Sequence, residues 1–295
     1  MKLKIKKEIL LDGLNKVSKA LSTKNLVPVL AGIKFDLTEK GLMLTASDNT
    51  IQVFIDKTEE MEIEKEGSII IQGKYILDIV RKLPDEFINI EVIDELKITI
   101  YTDNSEFNLN GIDKNEYPAI NLELSKNPLI LAGRDFRGII SQTSFASSAD
   151  ESRPILTGIN FKIVGNTMEC NSTDSYRLAR KLLTLSNAVE ENYNIVIPSK
   201  NLLEFIKIMD DSEDNIELHI FNNKVLIKYQ NILFQSRLIN GTYPNTANLL
   251  PDEFMLSIKV NVNELYNVID RASILTSDKE KNIVTFEING NKLFV

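Results

Sequence analysis

An internal repeat constrains what this chain can fold into. Residues 27–55 and 153–181 align without gaps at an offset of 126 residues. The identical aligned pairs are Pro28/Pro154, Leu30/Leu156, Gly32/Gly158, Ile33/Ile159, Phe35/Phe161 and Asp48/Asp174. Self-similarity at a fixed period predicts that one structural module is built more than once along the chain.

Two further segments keep the same offset. Residues 68–77 align with 194–203, and the dipeptide at 117–118 recurs at 243–244. The matching residues are Lys74/Lys200, Leu77/Leu203, Tyr117/Tyr243 and Pro118/Pro244. Chance could produce any one of these matches, but three segments at one offset indicate a duplication.

The hydrophobic periodicity inside each copy predicts the fold class. Residues 8–20 carry an apolar stripe with helical spacing. Short runs with strand character follow at 29–37, 41–47 and 50–55, and the same order then recurs. The recurring elements are a strand at 68–71, a helix at about 73–83 and strands near 87–92, 96–101 and 105–110. Each copy is therefore predicted to be α+β, with two β-α-β-β-β units whose helices lie on one face of antiparallel sheets.

A third copy begins near the end of the sequence. Residues 256–275 repeat the opening strand and helix, but only 40 residues follow position 255. We therefore expect domain I at 1–125, domain II at 126–252 and a truncated domain III at 253–295. On this interpretation the sequence is a fragment of a longer three-copy protein.

Charge is distributed unevenly between the predicted helices and the rest of the chain. The net charge is −8, which argues against a protein that binds nucleic acid over its whole surface. The helix candidates at 6–20, 72–82, 134–147 and 198–208 nevertheless carry 11 basic and 5 acidic residues. Two explanations stay open, because polar helix faces often carry lysine for solubility, whereas a shared basic face would hold a phosphate backbone without reading its sequence.

Motifs for catalysis or cofactor binding are not found in the sequence. It has a single histidine, His219, and a single cysteine, Cys170, which are far apart and are expected to be structural. It has neither a phosphate-binding loop nor a nucleophile elbow. We therefore predict a protein without enzymatic activity, cofactor or metal. One alternative is a metal-dependent enzyme that uses the acidic run Asp210–Asp214, although this run resembles a solvated turn.

No signal peptide or membrane-spanning run is recognisable, and one cysteine allows no internal disulfide. The expected location is the cytoplasm.

Several motifs, taken in order, resemble a known family. They are the duplicated P-x-L-x-G-I-x-F segment, the run from Thr173 to Ala179, FNLNG…EYP at 107–118 and SRLINGTYP at 236–244. Together these motifs resemble the bacterial DNA polymerase III beta subunit, from Met1 to about Leu275. The resemblance implies a head-to-tail homodimeric ring, when full length, with helices lining a hole that duplex DNA threads. It also implies that DNA polymerase and an ATP-driven clamp loader bind through short hydrophobic peptides.

The resemblance assigns roles to individual residues. By this resemblance Lys24, Lys74 and Lys200 are expected to contact DNA, and Arg137 of the basic helix at 134–147 is expected to join them. Residues expected at the subunit interface are Phe107 and Leu109 on one side and Ile274 and Leu275 on the other. Residues expected in a partner-peptide pocket are Leu156, Thr173, Tyr176, Arg177, Leu178, Pro244 and Leu249. Tyr176 and Asn248 depart from the histidine and arginine common in the family, which predicts a different peptide preference.

A second alternative is a repeat-built protein scaffold that never encircles DNA. The basic helix subset argues against it, and salt-dependent retention on DNA would distinguish the two.

Overall fold

The computed structural model describes residues 1–21, 27–47, 50–246, 249, 253–274 and 284–295. The chain forms two compact units, Met1–Pro244 and Asn245–Val295. No helix within the described residues is long and apolar enough to cross a membrane.

The first copy of the repeat includes the elements from Lys2 to Asn110. Its elements are β1 (Lys2–Lys6), α1 (Lys7–Val17), β2 (Gly32–Thr38), β3 (Gly41–Ala46), β4 (Ile51–Asp56), β5 (Met61–Lys65), β6 (Gly67–Gln72), α2 (Gly73–Lys82), β7 (Phe87–Asp94), β8 (Lys97–Tyr101) and β9 (Glu106–Asn110).

The second copy follows in the same order, except that residues 187–191, at the position of β5, form no strand. Its elements are β10 (Leu129–Ala132), α3 (Gly133–Thr143), β11 (Gly158–Val164), β12 (Thr167–Thr173), β13 (Leu178–Thr184), β14 (Tyr193–Pro198), α4 (Ser199–Ile206), β15 (Asn215–Ile220), β16 (Lys224–Tyr229) and β17 (Ile232–Arg237). Helices α1 and α3 begin 126 residues apart, and so do α2 and α4. The predicted repeat is therefore confirmed.

The second unit holds α5 (Val262–Ser273) and a hairpin of β18 (Glu287–Asn289) and β19 (Lys292–Phe294). The strand predicted to open the third copy, before α5, is not formed by residues 256–261. A strand needs a neighbour to satisfy its backbone groups, and the described strands of this unit pair with each other.

Three antiparallel sheets make up the first unit, with strand orders β5-β1-β7-β8-β9, β10-β15-β16-β17-β4-β3-β2-β6 and β13-β12-β11-β14. The eight-stranded sheet crosses from one copy to the other where β17 pairs with β4, for example Ile232 with Val53. The N–H of Gln235 also donates to the carbonyl of Thr50 at 2.7 Å. The two copies are thus joined by backbone hydrogen bonds as well as by side chains.

The core lies between the helices and one face of the sheets. α1 packs against α2 and against β3 and β4, while α3 packs against α4. In the second copy, the Phe205 ring lies 6.0 Å from that of Phe136 and 5.0 Å from that of Phe234. All three rings are fully buried, and burial of each contributes about 1.5–3 kcal/mol to stability.

Steric contacts explain why glycine recurs in the P-x-L-x-G motif. A Cβ on Gly32 would lie 2.4 Å from Cγ2 of Ile70, and one on Gly158 would lie 2.5 Å from Cγ1 of Val196. Strands β2 and β11 therefore approach their neighbours β6 and β14 too closely for any side chain at these positions.

A small second cluster in each copy covers the sheet face that points away from the helices. Ile70 packs with Tyr117 in the first copy, and Val196 packs with Tyr243 in the second. Neighbours along a strand point to opposite faces, and Ile69 and Ile71 belong to the helix-side core. The segment that follows β9 therefore lies on the side of the sheet away from the helices.

Candidate DNA, partner and subunit interfaces

Two lysines occupy the same repeat position on the helix side. Lys74 and Lys200 are each the second residue of a helix, α2 and α4 respectively. Both are exposed, and neither makes a hydrogen bond or ion pair with any residue the structure describes. Their ammonium groups are therefore free to meet an anionic ligand.

The other two predicted DNA contacts differ from this pair. The guanidinium of Arg137 pairs with the carboxylate of Asp211 at 2.6 Å and donates to the backbone carbonyls of Met209 and Asp210. This side chain ties α3 to the turn after α4, which leaves it less available than Lys74 or Lys200. Lys24 lies outside the described residues.

Three lysines on the sheet face away from the helices are paired with carboxylates. Lys2, Lys4 and Lys6 point outward from β1, and each forms an ion pair with a glutamate on or beside β5. Such exposed pairs add about 0–1 kcal/mol each, but they cancel charge locally. Strand β5 was missed in the sequence because its Glu-rich run hides the alternation of Met61 and Ile63.

A tight turn after β12 brings most of the predicted peptide-pocket residues together. The Thr173 hydroxyl donates to the carbonyl of Arg177 at 2.6 Å, and the Thr173 N–H donates to the Tyr243 hydroxyl at 3.0 Å. Tyr243 in turn packs on buried Leu156, and Leu178 begins β13 half-buried. Burial raises the pKa of Tyr243 to about 12, so its hydroxyl stays neutral.

The turn holds a strained backbone. Ser175 adopts a φ of 80°, which is costly for a residue with a side chain. Asp174 stabilises this turn by accepting from the N–H groups of Tyr176 and Arg177 at 2.9 and 3.0 Å. Partial burial opposes ionisation of Asp174, but these bonds and the Arg177 charge outweigh it and lower the pKa of Asp174.

The turn presents its side chains outward. Tyr176 is 88% exposed, and the guanidinium of Arg177 lies 5.7 Å from the centre of the exposed Phe145 ring. Phe145 carries no sequence signal that would have assigned it to this surface. Pro244 is exposed and follows Tyr243 directly. Leu249 belongs to the second unit, where it is 61% exposed.

The predicted interface residues of the first copy lie on an edge strand. β9 pairs only with β8, and its Phe107 is 39% exposed, while Leu109 is half-buried. The corresponding strand of the second copy is β17, which forms the joint with β4. Ile274 follows α5 and is 77% exposed, and Leu275 lies outside the described residues.

The residues considered for catalysis or metal binding have structural contacts. Cys170 is buried, and burial raises the pKa of its thiol. His219 is buried, and its Nδ1 accepts from the Ser125 N–H at 3.1 Å. Asp210 accepts from the Tyr229 hydroxyl and Gln230 Nε2, which lowers the pKa of Asp210. The described residues include no group of three or more His, Cys, Asp or Glu placed to hold a metal.

Comparison with known proteins identifies the family. The model for the DNA polymerase III beta subunit N-terminal domain matches residues 1–123, and the central-domain model matches 130–245. The beta sliding clamp of Staphylococcus epidermidis is 38% identical over 300 residues, covering 99% of this chain and 79% of that protein. The chain belongs to the beta sliding clamp family.

Solved clamps agree with this assignment. The DNA polymerase III beta chain of Streptococcus pneumoniae superposes with a TM-score of 0.95 at 34% identity, covering 99% of this chain and 79% of that one. The Bacillus subtilis sliding clamp gives a TM-score of 0.91 at 38% identity, covering 94% and 75%. The family assignment confirms the predicted α+β clamp fold and the prediction of a DNA sliding clamp, a processivity factor without catalytic activity. The scaffold and metal-enzyme alternatives are not supported.

Proposed function

We propose that this clamp, when full length, encircles duplex DNA as a head-to-tail homodimeric ring and contacts the phosphate backbone through Lys74 and Lys200. The observation that carries the proposal is the free, exposed state of these two lysines at one repeat position. Other helix cations, such as Lys16 and Arg81, are in contrast paired with a carboxylate on their own helix. Positive charge that is concentrated on the helix side attracts phosphate there and is independent of base sequence.

Charge reversal tests the assignment of the two lysines. Lys74→Glu with Lys200→Glu is expected to weaken binding of a duplex DNA probe and to lower the slope of log affinity against log salt by about 2. The matched control is Lys57→Glu with Lys162→Glu, since both lysines are exposed and lie off the helices. Equal losses in the two double variants would contradict a helix-side DNA contact.

We infer that DNA polymerase and the clamp loader dock short hydrophobic peptides at the turn 173–178. Leu156, Thr173, Arg177, Leu178 and Pro244 form this pocket within the first unit. A pocket of this kind takes a few apolar anchors and derives most of its affinity from them.

Exposed Tyr176 offers the cleanest test of this pocket, because its removal should not disturb the fold. Tyr176→Ala is expected to weaken binding of a peptide with leucine and phenylalanine anchors by about tenfold. The measurement is fluorescence anisotropy of the labelled peptide, with Leu182→Ala on β13 as the control, since Leu182 is 54% exposed. Unchanged affinity of the Tyr176 variant would refute the assignment.

The remaining expectations are part of the same proposal. The domain boundaries stay at 1–125, 126–252 and 253–295, and the expected location is the cytoplasm, where a replication protein meets its DNA.

A further inference from the structure

The structure contains a groove on the sheet face away from the helices. This groove is separate from the proposed peptide pocket at the turn 173–178. Its volume is about 990 Å³, within the range of ligand-binding clefts. The lining includes Leu30, Pro118 and Ile120 from the first copy and Lys224, Gln235 and Arg237 from the second. We call this cavity the connector groove, because the segment between β9 and β10 forms one of its walls.

The side of the sheet on which the groove lies follows from strand alternation. Val225 and Phe234 belong to the helix-side core, and Lys224 and Gln235 are their neighbours along β16 and β17. The side chains of Lys224 and Gln235 therefore point away from the helices. The connector groove is thus on the opposite face from Lys74 and Lys200, which makes duplex DNA a poor candidate for its occupant.

The groove combines apolar surface with positive charge. Its lining includes two cations, Lys224 and Arg237, and none of the described lining residues is acidic. The Lys224 ammonium is held by neutral acceptors, the carbonyl of Asn121 and the Gln235 side chain at 3.2 Å. The exposed guanidinium of Arg237 makes no hydrogen bond or ion pair with any described residue.

Some cations on the outer face of the sheets are matched by carboxylates, as in Lys228 with Glu217 and Arg180 with Glu169. Lys97 and Lys162 on that face are exposed and make no ion pair with a described residue, but Lys224 and Arg237 lie together in one cleft. A protein of net charge −8 that leaves two cations unmatched in one cleft favours an acidic ligand there.

The internal repeat indicates what kind of acidic ligand fits. Leu30, Ser47, Thr50 and Pro118 of the groove correspond, at the offset of 126, to Leu156, Thr173, Tyr176 and Pro244 of the proposed peptide pocket. The inference of a peptide ligand from this correspondence rests on the proposed function of the turn 173–178. The cavity and its charge are independent of that proposal. We propose that the connector groove binds a short extended peptide whose acidic side chains meet Arg237 and Lys224 and whose apolar side chains contact Leu30, Pro118 and Ile120.

The test uses the full chain and the capped, fluorescein-labelled peptide Glu-Leu-Glu-Leu-Glu, with its glutamine analogue as the neutral probe. We expect the parent protein to bind the acidic peptide and Arg237→Glu to weaken this binding at least about tenfold. The glutamine analogue should not bind in the same way. The matched control is Arg134→Glu on α3, an exposed arginine on the helix side, which should bind the peptide like the parent protein.

Two further measurements distinguish the connector groove from the proposed peptide pocket and from the DNA contact. Tyr176→Ala should leave binding of the acidic peptide unchanged, so failure of the proposed pocket and failure of the groove are distinguishable. Arg237→Glu should leave duplex DNA binding unchanged. The proposal is overturned if the parent protein does not bind the acidic peptide, if Arg237→Glu binds it equally well, if Tyr176→Ala abolishes binding, or if Arg237→Glu weakens DNA binding instead.

Discussion

Single glycines show how the repeat is maintained at the residue scale. Gly158 is identical to Gly32 at the offset of the repeat. A Cβ on Gly158 would also lie 2.8 Å from the carbonyl oxygen of Ile197, on the neighbouring strand. Because this glycine recurs as Gly32, the sequence indicated that the repeat requires glycine at this position. The cause, close approach of β14, needed the structure because a sequence does not give interstrand distances.

Gly158→Ala is expected to lower the free energy of unfolding by about 1–3 kcal/mol, because the added methyl group overpacks the contact with β14. The measurement is equilibrium unfolding in urea. Gly138→Ala is the matched control, since a Cβ on Gly138, inside α3, would meet nothing within 4 Å. The control should gain about 0.5–1 kcal/mol, as alanine is favoured over glycine in a helix. Equal effects of the two substitutions would contradict the steric explanation.

The sequence located the cations on the helices, but it did not show which of them are free to contact DNA. Lys74 and Lys200 are exposed and free, as a DNA contact requires, whereas Arg137 is held by Asp211 and two backbone carbonyls. The ion pair joins residues 74 positions apart, and periodicity carries no information on such a contact.

At the element scale, the last strand of each copy lies where it can pair with a neighbouring copy. Strand β17 joins the two copies by pairing with β4, and β9 holds the corresponding place in the first copy while having one free edge. An open edge invites pairing with another chain. The sequence located β9 directly and β17 only through the repeat. It missed β5, and it predicted a strand before α5 that residues 256–261 do not form.

Phe107→Arg tests the role of β9. The substitution puts a charge into the proposed subunit joint, so we expect it to convert dimers into monomers at low micromolar concentration, measured by sedimentation velocity. Ile130→Arg is the control, since Ile130 is 51% exposed on the edge strand β10. Phe107 is already 39% exposed, so neither variant should unfold. A Phe107→Arg protein that keeps the mass of the parent dimer would rule out β9 as an interface strand.

Charge separation is the main feature at the scale of the whole molecule. The helix subset is basic although the chain has a net charge of −8, and the lysines of β1 are paired with glutamates. Because electrostatic interactions decay over about 8–10 Å at physiological salt, a basic helix side can attract a phosphate backbone despite the acidic remainder. The sequence predicted this separation from residue counts, but the connector groove could not be foreseen, since its walls come from segments about 100 residues apart.

Retention on closed and cut DNA tests most directly whether the protein encircles the duplex. The protein is loaded by its clamp loader onto nicked circular DNA, and its co-elution with the DNA at high salt is followed before and after the circle is linearised. Encirclement predicts retention on the circle and release on linearisation, because the ring slides off a free end. Equal retention on both forms would mean direct binding, and no retention on either would contradict the clamp mechanism for this protein.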